Sequence, residues 1–391
     1  PDRPQPGPLL VTSLVAASLL PLIQAGLMAP TLQAIHGDLL GGAGLKVTVG
    51  ALLVAPTVVV VLSAYWIGCL VDRVAKAPVL AGAIAAYAVL SLLSGMARSF
   101  AELLAFRALL GFALAAVVTT SGALIGDLLT GEARAAALGR QAVLRGVSAA
   151  IAPVVGGIAA GFHWRLSLLV NTLALALLPG LARLPGRPRS DVGPTRRLDV
   201  KSVAGPYLAI FVGWLVLYLL TLQIGFHLKS LGAVEPIWPG LALGASSLAA
   251  ALAGTRLARL QARYSFRGLT SLALAVMAAG YLLISLSSRL STSVGIVLAG
   301  AAIGTITANA TAWLLATVPA ELRGRAMGGV ATAMFAGQIA SFVVLGPLVL
   351  LLGIAATFAA VGGAGLVAAL LFHASHLQGD LDPARSTSVN R

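Results

Sequence analysis

Two arginines fall inside apolar stretches long enough to sit in a hydrocarbon core. Arg107 lies in Leu103-Leu104-Ala105-Phe106-Arg107-Ala108-Leu109-Leu110-Gly111, and Arg145 lies eight residues before Pro153. A guanidinium inside a membrane helix is costly unless it faces the bundle interior and finds a partner, so it marks a path for an anion or a proton. For Arg107 the competing reading is snorkelling to the nearer surface. For Arg145, with Gln141 one turn earlier, a hydrogen-bonding face and an interfacial anchor both stay open. No Asp or Glu falls in the middle of an apolar segment. Two such arginines without a buried acid predict positive potential, which suits an anionic or zwitterionic solute such as a carboxylate or a metal chelate. Nucleophile–base sets, phosphate-cradling loops and zinc-ligand spacings are missing from the sequence, so catalysis, cofactors and metals are not expected.

The elements that must hold these arginines follow from composition. Of 391 residues, 59% are hydrophobic and 10% charged, with a mean hydropathy of +0.97. A soluble fold needs more polar surface than this chain supplies. Apolar runs of about twenty residues recur, each long enough to cross a core roughly 30 Å thick. The net charge of +14 would suggest nucleic acid in a soluble chain, but the bases are placed at segment ends, which argues for a bilayer instead. The lone Cys69 cannot form an internal disulfide and reads as a packing residue. The first apolar run lacks the three-part form of a cleaved signal and is expected to remain in the membrane.

Twelve segments are expected near 9–35, 47–71, 78–97, 101–125, 137–161, 165–183, 206–228, 237–260, 268–288, 291–317, 326–352 and 354–375. Residues 1–8 and 376–391 read as tails, and the Pro/Arg-rich stretch 184–205 as a linker between bundles over 9–183 and 206–375. With the N-terminus inside, nineteen Lys and Arg fall on the inner side and five (Lys46, Arg98, Arg165, Lys229, Arg289) on the outer. This positive-inside bias predicts both termini in the cytoplasm. The halves repeat. Glu132-Ala133-Arg134-Ala135-Ala136-Ala137-Leu138-Gly139 aligns with Glu321-Leu322-Arg323-Gly324-Arg325-Ala326-Met327-Gly328, an offset that also places Gly111 on Gly300.

The stretch between the second and third segments carries the strongest resemblance. Gly68-Cys69-Leu70-Val71-Asp72-Arg73-Val74-Ala75-Lys76-Ala77-Pro78-Val79-Leu80 resembles the G-x-L-x-D-R-x-G-R-K-x-x-L loop of the major facilitator superfamily. Ala75 and Ala77 depart from it. With the six-plus-six repeat, the chain is identified as similar to this family over nearly its whole length. The fold implied is all-α and polytopic, with twelve transmembrane helices in two pseudo-symmetric six-helix bundles. The drug:proton antiporter branch is the one it resembles.

That resemblance implies roles. Gly68, Asp72, Arg73, Asp127, Arg134 and Arg323 would form a conformational latch, with Asp72 facing the start of the eleventh helix and Arg73 pairing with Asp127. Arg107 matches the family's R-x-x-Q-G motif with Leu110 in place of glutamine, and proton coupling or substrate charge would fall to Arg107, Arg145 and Asp127. Ser148-Ala149-Ala150-Ile151-Ala152-Pro153-Val154-Val155-Gly156-Gly157 resembles the antiporter motif G-x-x-x-G-P-x-x-G-G. There Pro153, Gly156 and Gly157 match, while Ser148 and Ala152 are small substitutes. Cavity candidates are Gln24, Gln141, Asn171, Trp214, Gln223, Asn309, Phe335 and Gln338, each open to the alternative of simple helix–helix hydrogen bonding. His36, Asp38, His163, His227 and Glu235 fall at outer ends and read as solvated loop residues.

The expected function is proton-coupled export of a small organic solute by a monomer in a bacterial inner membrane, without nucleic acid. Import or facilitated movement of an anionic metabolite or metal chelate is the alternative. A non-transporting receptor of the same fold is the reading from another class.

Overall fold

A computed structural model describes residues 8–40, 48–128, 131–181, 200–318 and 323–380. Each of the twelve expected segments corresponds to a helix or a chain of short helices. Among the described residues ten helices are long and apolar enough to span a membrane, and a bent pair, Leu9–Ala17 with Leu20–Leu39, makes an eleventh span. The remaining expected segment corresponds to Thr48–Gly50 with Ala51–Arg73, where the apolar stretch Thr48–Ser63 is shorter. Many large apolar side chains, among them Leu62, Trp66, Val143 and Leu351, are exposed, as bilayer-facing surfaces require.

Local chemistry sets the breaks. The first span bends by 48° where Ser18 and Leu19 separate two helices and Pro21 enters the second of them. Proline has no N–H to give the preceding turn, so the helix cannot run on unbroken. The second and third spans are joined by extended Val74 and Ala75, and Pro78 sits in the first turn of Lys76–Met96, where proline is tolerated. Ser265 and Ser288 cap Phe266–Ser285 and Arg289–Thr317 through the amides of Gly268 and Ser291. In the eleventh span, residues 341–345 form a π-turn just ahead of Gly346-Pro347. Pro347 cannot donate to the carbonyl four residues back, and a wider turn accommodates the loss.

By packing, the chain forms two units. One comprises Pro1–Thr195 with Ile224–Gly244, the other Arg196–Gln223 with Ala245–Arg391. In the first, the fourth span (Phe100–Leu128) packs on the second and third, and the fifth (Gly131–Phe162) on the first. In the second, the ninth span, Phe266–Ser285, packs on the tenth, Arg289–Thr317, and on the twelfth, Ile354–Asp380.

The internal repeat is visible as a matched contact. A Cβ on Gly111 would lie 2.5 Å from the carbonyl oxygen of Pro56, and the backbone carbonyl of Ser246 likewise blocks a Cβ on Gly300. The glycines are separated by the repeat offset, and the carbonyls they approach by one residue more. Each glycine lets the fourth helix of its half touch the backbone of the second, which any side chain would prevent.

Candidate functional site

Arg107 is 1% exposed. It faces the bundle and does not snorkel. Its Nε donates to the Leu52 carbonyl at 3.1 Å, and a terminal N–H donates to Gln24 Oε1. The first acceptor has a local origin. In a helix the carbonyl of residue 52 would bond the amide of residue 56, and Pro56 has none. Arg107 thus serves a carbonyl that the second span orphans itself. Gly111, one turn further along the same face, brings the two backbones close enough for the guanidinium to reach. In the same unit Tyr87 is fully buried, and its hydroxyl donates to Asn171 Oδ1 at 2.6 Å.

Helix five presents two packing faces. On one, Gln141 Nε2 donates to Ser18 Oγ at 2.7 Å, at the bend of the first span. Further along that face, a Cβ on Gly26 would meet Ala152 Cβ at 2.8 Å, and one on Gly156 would meet the backbone of Leu27. On the other face, a Cβ on Gly157 would lie 2.8 Å from the Pro236 carbonyl oxygen. One on Gly240 would lie 2.5 Å from that of Pro153, and one on Gly244 2.8 Å from that of Ala150. The Pro153–Gly157 motif is therefore clasped between the first span and the start of Ile237–Thr255, inside one packed unit. Ser167 Oγ adds a bond to the Gly156 carbonyl at 2.8 Å. Arg145, one turn from Gln141, is exposed.

The expected cavity residues divide. Gln24, Gln141 and Asn171 are engaged as just described, Asn171 Nδ2 also donating to the Leu168 carbonyl. Asn309 is fully buried and fully used: Nδ2 donates to the Phe266 carbonyl (2.7 Å) and Thr270 Oγ1 (3.1 Å), and Oδ1 accepts from Gln261 (3.0 Å). It stitches helices together. Trp214 and Gln223 differ, because Trp214 Nε1 and Gln223 Oε1 are buried with no hydrogen-bond partner among the described residues. Phe335 is half-buried and Gln338 buried on the eleventh span. Of the latch residues, Gly68, Asp72 and Arg73 fall in the last turns of Ala51–Arg73, and Arg323 opens Arg323–Ala340. The side chains of these four, and those of Asp127 and Arg134, lie outside the described residues.

Of the outer-end residues, Asp38, His163 and Glu235 are exposed, as their positions suggest, and two are not. His36 and His227 are buried, and the His36 ring stands edge-to-face with Phe226, 5.7 Å between centroids. Asp38 accepts from Trp164 Nε1 at 2.7 Å and pairs with Arg165 at 3.2 Å, while Arg165 lies over the Trp164 ring and reaches the Ala97 carbonyl. The sequence reading missed the Leu52 carbonyl that Pro56 frees, Ser18 and Tyr87 as partners of the polar residues. Pro56 alone had a sequence signal, since a proline inside a helix frees the carbonyl four residues before it.

Known proteins resemble this chain as follows. The family model described as Major Facilitator Superfamily matches residues 9–239. The multidrug transporter protein MdtP of Bacillus subtilis (strain 168) is 28% identical over 164 residues, which are 42% of this chain and 30% of that protein. Citrate exporter 1 of Aspergillus niger is 32% identical over 94 residues, 24% of this chain and 18% of that one. The chain thus matches less than a third of the length of these relatives. Among solved structures, the nucleoside transporter NupG superposes with a TM-score of 0.75 at 15% identity, covering 93% of this chain and 99% of that one. The human organic anion transporter MFSD10 superposes with a TM-score of 0.67 at 19% identity, with coverage of 93% and 99%. At these identities the likeness is one of fold.

Proposed function

The chain belongs to the major facilitator superfamily of membrane transporters, and from that premise we propose that it exports a small organic anion or zwitterion in exchange for protons. The observation that carries this reading is the Pro153–Gly156–Gly157 motif, packed backbone to backbone against the first span and against Gly240 and Gly244. A proline and glycines that let backbones approach so closely suit a contact made and broken as a body, as exchange by alternating access requires. Two bundles over 9–183 and 206–375, both termini in the cytoplasm of a bacterial cell, and the latch from Gly68 to Arg323 complete the proposal. The names of the multidrug and citrate exporters among its relatives support the outward direction.

Charge favours an anion. Arg107 is a buried cation, and the middle of the spans contains no Asp or Glu. A positively charged interior attracts carboxylates and penalises cationic drugs. The same shortage of carboxylates favours the second reading, uptake or facilitated movement of an anionic metabolite, because it leaves few groups to carry a proton.

The test is substrate-triggered proton release from energised inside-out vesicles, with citrate and ferric citrate in one panel and ethidium and related dyes in the other. Release with the anions, lost in Asp72→Asn and Arg107→Ala, is the expected result. Release with dyes alone refutes the anionic reading. Silence with both panels, in folded protein, refutes proton-coupled export and favours uptake.

A further inference from the structure

The second unit contains buried polar groups that packing does not explain. Hydroxyls inside these helices ordinarily bond a carbonyl of the preceding turn, as Thr305 does to Ala301, Thr311 to Thr307 and Thr357 to Gly353. Ser341 does not. It is 1% exposed, and its Oγ has no partner among the described residues. It is also the first residue of the π-turn. Trp214 Nε1, a donor only, is likewise buried without a partner. Leaving such groups unpaired is expensive, and native proteins rarely do so without a reason.

The two orphans lie on helices that touch. Gly337 rests against the seventh span, Val200–Ser230: a Cβ there would lie 3.0 Å from Trp214 Cβ and 2.6 Å from the Phe211 carbonyl oxygen. Ser341 is one turn beyond Gly337 on the same helix face. Tyr218, one turn beyond Trp214, has its ring 6.5 Å away from the indole.

We propose that Trp214 and Ser341 form a hydrogen-bonding subsite for an acceptor oxygen, a carboxylate or carbonyl, of the transported solute. The proposal rests on the reading of this protein as a transporter of acceptor-bearing solutes and adds the group that each residue recognises. The indole N–H and the hydroxyl both donate, and Tyr218 supplies an apolar wall. A π-turn placed at a functional position is a recurrent use of that geometry.

The experiment is equilibrium binding of citrate, benzoate and ethidium to purified full-length protein, followed by calorimetry. Trp214→Phe keeps the ring system apolar and removes the N–H; Ser341→Ala removes the hydroxyl; Ser341→Thr restores it. Thr311→Ala, which loses a hydroxyl already bonded to its own helix, is the control. Loss of a hydrogen bond to a charged group should raise the Kd for citrate or benzoate about tenfold or more in Trp214→Phe and Ser341→Ala. Ser341→Thr and Thr311→Ala should stay within about twofold of wild type, a pattern that a packing defect would not produce. Unchanged anion affinity in both loss variants overturns the subsite, as does binding of ethidium alone or an equal loss in Ser341→Thr. Anion binding that weakens as expected while vesicles remain silent retains the subsite and removes the export reading.

Discussion

Replacing Arg107 should destabilise the first bundle in a way that Pro56 controls. Arg107→Met strands two acceptors, the Leu52 carbonyl and Gln24 Oε1. A buried acceptor left unpaired costs about 1–3 kcal/mol in soluble proteins, and interhelical bonds in membranes are nearer ~0.6–2 kcal/mol each. Relief from burying a cation offsets part of that, so a net loss of about 1–3 kcal/mol is expected. The Leu52 share can be isolated. Pro56→Ala gives residue 56 an N–H, which closes the helical bond to Leu52 and removes its need for the guanidinium. In that background Arg107→Met should cost about 1 kcal/mol less than in wild type, a coupling well above the scatter of independent sites. Gly111 does not confound the cycle, because the Pro56 atoms it approaches are the Cα and the carbonyl oxygen, which alanine retains. The assay is reversible unfolding in mixed micelles, followed by tryptophan fluorescence, for the wild type, both single variants and the double variant. A coupling below ~0.3 kcal/mol would refute the idea that Pro56 creates the acceptor Arg107 serves.

Three further outcomes can be checked on the same material. Gly240→Ala places a methyl 2.5 Å from the Pro153 carbonyl oxygen, whereas Gly161→Ala meets nothing within 4 Å; the first should lose about 1–3 kcal/mol and the second almost nothing. Asn309→Leu forfeits three hydrogen bonds inside the second unit; the apparent Tm should fall by several degrees, while the KM of the protein that stays folded is unchanged, since Asn309 touches no solute in this reading. Asp38→Asn should matter little: the Asp38 and Arg165 side chains are 46% and 30% exposed, and ion pairs of that kind contribute about 0–1 kcal/mol. A Tm loss above a few degrees in that variant would assign the Trp164–Asp38 bond a larger role.

Much of the architecture is readable from the chain because a bilayer asks one simple thing of each segment, about twenty apolar residues. The repeat offset even aligns the glycine–backbone contacts of the two halves at Gly111 and Gly300. Which polar residues find each other is harder to see. Gln24, Asn171 and Asn309 look alike in sequence, yet each is engaged by a neighbour that no period announces, Arg107, Tyr87 and Gln261 respectively. The first span reads as one segment over 9–35, whereas it bends at Ser18 and runs on to Leu39, because Pro21 acts on the turn before it. His36 and His227 illustrate the opposite error. Their places near segment ends suggest water, and the association of Ile224–Gly244 with the first unit buries them instead. Hydropathy describes a segment's environment on average and says nothing of which neighbour covers its end.

The partners of Arg107 bear on how membrane voltage acts on this protein. Neither an amide oxygen nor a peptide carbonyl changes charge with pH, and a guanidinium stays protonated throughout the physiological range. Arg107 is therefore a permanent unit charge fixed about two turns into the fourth helix, in a region where the transmembrane field falls. Moving a unit charge through the whole field is worth about 2.3 kcal/mol per 100 mV. If the bundle carries Arg107 through only a tenth of that drop, the work is ~0.2 kcal/mol, enough to change a two-state ratio about 1.5-fold. A conformational cycle built on this bundle would thus sense the membrane potential directly, through an arginine and apart from any proton it exchanges.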